Sequence, residues 1–105
     1  MENSGSIFVC NLGVMNNEER ARYNALSRKM FTASELRREL ENGYAFKLAI
    51  EKISLPEVAE WIAFERRCCP FFNLQIEAES NAGPVWLRMT GADGIKEFIR
   101  TELGG

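Results

Sequence analysis

The chain reads as an α+β domain, and three observations carry that reading. Two stretches alternate apolar and polar residues with the period of a strand, Phe72-Leu74-Ile76-Ala78 and Val85-Leu87-Met89. The segment "SELRRELENGYAFKLAI" contains an Asn42-Gly43 pair between two such runs, the composition of a tight hairpin turn. Three further stretches carry apolar residues at helical spacing behind capping residues. The order is α-β-β-α-β-β-α, a four-stranded antiparallel sheet with helices on one face. Its core ββαββα resembles a circular permutation of the ferredoxin-like βαββαβ arrangement, an analogy that orders the sheet 1-2-4-3.

Taken in order, Met1–Ser6 reads as a loose, disordered end, and Ile7–Cys10 as a short strand or extended arm. Asn16 followed by Glu18 and Glu19 is a helix start, with Tyr23, Leu26 and Met30 on one face of a helix from Asn17 to about Phe31. The hairpin follows, although "SELRREL" alone would also suit a helix. Ser54 caps the second helix, "SLPEVAEWIAFERRC", with Pro56 tolerated in its first turn and Pro70 limiting its end. "SNAG" turns one strand into the next. "TGADG" leads into a last helix over about Asp93–Leu103, with Asp93 as cap and Ile95, Phe98, Ile99 and Leu103 inward. It lacks the Gly-Lys-Ser/Thr ending of a phosphate loop and is read as a turn.

A length of 105 residues with 46% hydrophobic content supports one domain, 1–105, and one core. A net charge of −2 gives no long-range attraction to nucleic acid or anionic lipid. The local excess of Arg20, Arg22, Arg28, Lys29, Arg37 and Arg38 has no aromatic ladder beside it and reads as a solvated face. No apolar run approaches the ~18 residues of a membrane span, and the start lacks a signal-peptide pattern. The expected location is the cytoplasm. An odd cysteine count of three fits a reducing compartment and argues against a disulfide framework.

The chemistry-bearing motif is "ERRCCP", Glu65–Pro70. At about 100° per residue, Cys69 falls in the middle of the second helix's apolar stripe beside Val58 and Ile62, and Cys68 falls on its edge beside Trp61. Glu65 falls on the same buried face, while Arg67 points to solvent. One acid and two thiols therefore share a helical patch. An acid there needs a partner, either an arginine or solvent at the helix edge, and burial raises its pKa.

Several readings of the cysteines stand together. Free cysteine packs as a small hydrophobe. Thiolates also bind soft ions such as Zn²⁺, Hg²⁺ or As(III), with Cys68 and Cys69 as ligands, helped by Glu65 and by Cys10 if the fold brings it near. Redox or enzymatic roles find less support: there is no histidine, no C-x-x-C spacing, and a bond between neighbouring cysteines closes a strained ring. The best specific reading is thiol-based binding of a thiophilic metal or metalloid ion, without demonstrable catalysis. The alternative is a non-catalytic interaction module with structural cysteines, its homodimer contact on the sheet face bearing Trp86, which alternation places away from the helices. A loop covering Trp86 would remove that platform.

The stretch "WIAFERRCCPFFNLQIEAESNAGPVWLRMTGADGIKEFI" resembles a group of small bacterial proteins sharing E-R-x-C-C-P-F-F followed by W-L-x-x-T-G-x-x-G-x-K-x-F. The "CNL" at Cys10 and the later "EERARY" are similar to that group as well. The resemblance implies that Cys10, Glu65, Cys68 and Cys69 belong to a shared signature. It implies no activity.

Overall fold

The structure is a computed structural model describing residues 8–102. The elements follow the expected order: α1 (Asn17–Ala33), β1 (Ser34–Leu40), β2 (Gly43–Leu48), α2 (Leu55–Cys68), β3 (Asn73–Ala78), β4 (Val85–Thr90) and α3 (Ile95–Glu102). A short 3-10 turn, Leu12–Val14, precedes α1. The strands form one antiparallel sheet in the order β1-β2-β4-β3. The expected loose end Met1–Ser6, together with Ile7 and Leu103, lies outside the described residues.

Both long helices begin with reciprocal capping boxes, which satisfy backbone donors that a helix start otherwise leaves open. Asn16 Oδ1 accepts from the Glu19 amide at 2.8 Å while Glu19 Oε1 accepts from the Asn16 amide at 3.0 Å. Ser54 and Glu57 repeat the arrangement at α2, with Pro56 in the first turn. The other end of α2 stops where Pro70 disfavours helical geometry at Cys69, whose φ and ψ of −130° and 68° have left the helical region.

The hairpin forms where expected, but by a different device. Glu41 and Asn42 make the turn, and neither Asn42 nor Gly43 has positive φ. Gly43 is the first residue of β2, pressed against β4, where a Cβ would stand 2.0 Å from the Met89 carbonyl oxygen. Its missing side chain permits strand contact rather than chain reversal. The positive φ angles fall instead at Asn81 and Ala82, between β3 and β4, and at Gly94.

Burial follows position in the sheet. The central strands β2 and β4 supply Tyr44, Phe46, Leu48, Val85, Leu87 and Met89 to a core closed by Leu26, Val58, Ile95 and Ile99 from the helices. β3 was expected to be half-buried, yet Leu74 is only partly covered and Ile76 is exposed. It is an edge strand, paired on one side only. No helix among the described residues is long and apolar enough to cross a membrane.

Candidate functional site

The C-terminal turn of α2 delivers Glu65, Cys68 and Cys69 to one buried patch. Cys10 reaches the same place because the segment before α1 is tied down along that helix end. The Asn11 amide donates to the Cys68 carbonyl at 2.7 Å. Arg67, expected to face solvent freely, donates to the Val14 carbonyl at 2.7 Å and to Glu19 Oε2 at 3.0 Å. Its ion pair holds the Glu19 carboxyl below the usual range. Met15 packs on Cys68 and Cys69, with Cys10, Phe64, Phe71 and Phe72 around them.

Cys10 and Cys69 are joined by a disulfide across a sequence separation of 59. This corrects the expectation against a disulfide framework, drawn from an odd count: parity says only that one thiol is left over. That thiol is Cys68, fully buried, with its Sγ 3.6 Å from Cys69 Sγ. The three sulfurs form one contiguous group. The ligand atoms of Cys10, Glu65 and Cys69 lie within 4.8 Å of one another. Glu65, Cys68 and Cys69, together with distant Cys10, are therefore brought together.

Glu65 is 5% exposed. Its partner is neither arginine nor solvent but the phenol of Tyr23, whose Oη donates to Glu65 Oε1 at 2.8 Å. Burial pushes the Glu65 pKa up to about 7, and the tyrosine hydrogen bond opposes this only in part. Burial and the neighbouring carboxylate likewise push the Cys68 thiol and the Tyr23 phenol upward. The site is thus a largely buried patch that disfavours negative charge. A thiol there resists ionisation until something positive arrives to share it.

Sequence reasoning missed Tyr23 as the carboxyl's partner. The signal was present, since Tyr23 lies on the inward face of α1 with Leu26 and Met30, but pairing it with Glu65 requires knowing how α1 lies on α2. The same packing places Trp61 Nε1 3.1 Å from Ser27 Oγ as its donor. Two exposed ion pairs, Arg22 with Glu60 and Lys29 with Glu57, fasten the rims of the two helices. They account for part of the cationic excess as a solvated, paired face.

Trp86 sits on the helix-free sheet face, as alternation requires, yet it is only 5% exposed. The Arg38 guanidinium stacks over its ring at 4.4 Å, and Trp86 Nε1 donates to Glu79 Oε2 at 2.7 Å. The cover comes from Arg38 on β1, two strands away in the sheet, and from Glu79 in the turn after β3. A partner meeting this face encounters charged side chains and not a bare indole.

A cavity of about 660 Å³ opens beside the sulfur group, between α1, α3 and the sheet, with Cys10, Tyr23 and Glu65 in its lining. Its size falls in the ordinary range of ligand sites. No family model, curated protein or solved structure matches the chain.

Proposed function

We propose that this chain binds one thiophilic metal or metalloid ion through Cys10, Cys68 and Cys69 in their reduced form, with Glu65 as the adjacent oxygen donor. The single observation behind this reading is the convergence of Cys10, Cys69 and Glu65 from two distant segments, their ligand atoms within 4.8 Å of one another, with the Cys68 sulfur 3.6 Å from that of Cys69. Thiolates prefer soft ions. Burial sharpens that preference, because a thiol held protonated by its surroundings yields its proton only to an ion that bonds strongly to sulfur. As(III) and Hg²⁺ meet that condition better than Zn²⁺, which favours a closed set of four ligands.

Loading requires that the Cys10–Cys69 bond first take up two electrons and two protons from a thiol reductant, leaving three thiols. Such a supply is characteristic of the cytoplasm, the compartment this reading assigns. Titrating the reduced protein with arsenite, Hg²⁺ and Zn²⁺ under anaerobic conditions tests it. The expected result is one tightly held As(III) or Hg²⁺ per chain with release of protons, and weaker Zn²⁺ binding. Unchanged stoichiometry and affinity in a Cys68→Ser, Cys69→Ser double variant would falsify the proposal.

A further inference from the structure

The cavity beside the sulfur group has features that the ion-binding reading does not use. Its inner end is formed by Glu65, whose Oε1 is taken by Tyr23 while Oε2 makes no hydrogen bond to any described residue. That oxygen is not shut off from solvent, so it is open to a donor that enters the cavity. The remaining charged groups of the lining are Glu35, Glu102 and Arg37. The Arg37 guanidinium is engaged over the Tyr44 ring at 4.8 Å, so the cavity keeps an acidic excess. Its walls include Trp61, Phe72 and Phe98, and Phe31, also in the lining, stands 67% exposed. Acidic groups and aromatic faces together attract one kind of small ligand, an organic cation.

We infer that this cavity binds a small organic ammonium ion carrying an aromatic or branched apolar body. The ammonium N–H is donated to Glu65 Oε2, and the body rests on the aromatic wall. An anion of the same shape is repelled by the Glu35 and Glu102 carboxylates and meets an acid at Glu65 that already disfavours negative charge, and a neutral isostere forgoes the charge-assisted bond. The inference goes beyond the ion-binding proposal. It concerns the disulfide-linked protein, in which Cys10 and Cys69 are bonded to each other and are no longer free to hold an ion.

The test uses the full chain with its disulfide intact and three probes of one shape: phenethylamine, phenethyl alcohol and hydrocinnamate. Binding is followed by calorimetry and by the indole N–H resonance of Trp61, a residue of the cavity wall. Phenethylamine is expected to bind one per chain with a dissociation constant between roughly 10 µM and 1 mM. It should shift the Trp61 resonance, bind at least about tenfold more tightly than the alcohol, and leave hydrocinnamate unbound. Glu65→Gln should weaken the amine about tenfold and leave the alcohol unchanged. If that variant does not fold, the exposed rim substitutions Glu35→Gln and Glu102→Gln, each expected to weaken the amine about twofold, carry the same test.

Cys68→Ser should bind the amine as the parent does, although when reduced it holds arsenite more weakly, through two sulfurs instead of three, so each proposal can fail alone. Equal binding of amine and alcohol overturns the inference. So does a Trp61 resonance that no probe moves, or a self-associated form whose closed groove excludes the amine.

Discussion

Tyr23 Oη donates to Glu65 Oε1 at 2.8 Å, joining α1 to α2 across a sequence separation of 42. The bond fixes the acid that stands between the sulfur group and the cavity. A phenol is a neutral donor, so it satisfies one oxygen without supplying the charge that would keep the acid ionised. That is why burial still governs the carboxyl.

A pH dependence of stability follows. The folded-state pKa of about 7 lies above the ordinary 4.5, so the folded protein binds more protons than the unfolded chain between those values. Stability should fall as pH rises from about 4.5 to 7 and then level off, losing on the order of 3 kcal/mol at most from this group. Denaturant melts across that range check it, and Glu65→Gln should remove the slope. A parent slope of opposite sign, or one that survives in the variant, contradicts the assignment.

Removing the disulfide should destabilise the fold. Cys10→Ser releases a cross-link between residues 59 apart, worth about 2–4 kcal/mol through the entropy of the unfolded chain. Thermal melts of the oxidised parent, the reduced parent and the variant make the comparison. The reduced parent and Cys10→Ser should fall together. Coincident melts of all three would show that the bond does not constrain the folded chain.

Arg67 should control how firmly Cys10 is held. Its guanidinium bridges Val14 and Glu19, next to the Asn11 amide bonded to the Cys68 carbonyl. In reduced Arg67→Ala, amide hydrogen exchange at Asn11 and Met15 should accelerate while the central strands keep their protection. Uniform acceleration throughout the chain would instead report global destabilisation.

Arg38→Ala should uncover Trp86. The loss of the stacked guanidinium is expected to cost about 0.5–1 kcal/mol, shift part of the emission to the red and increase quenching by acrylamide. Trp61 serves as the unchanged internal reference, since it lies on the opposite side of the sheet. Unaltered quenching would show that Arg38 does not shield the ring.

Much of the fold was legible because it rests on local signals. The capping residues Asn16 and Ser54, the stop at Pro70 and the alternation of β4 each act within a few residues of themselves. The site was half legible for the same reason. Helical geometry alone put Glu65, Cys68 and Cys69 on one patch, but Cys10 and Tyr23 come from other segments and depend on how those segments dock. The fine structure of the hairpin was misread because Gly43 serves a neighbour two strands away in sequence. Its lack of a side chain answers to Met89 in β4, and a reading confined to Asn42-Gly43 sees only a turn. Trp86 was placed on the correct face, but its cover by Arg38 depends on strand pairing.

X-ray absorption at the arsenic edge of the reduced, arsenite-loaded protein tests most directly whether the three sulfurs act as one site. Three sulfur neighbours around arsenic in the parent, falling to two in Cys68→Ser, is the result expected from the convergence of Cys10, Cys68 and Cys69. An oxygen-dominated shell, or a sulfur shell identical in the two proteins, would contradict it.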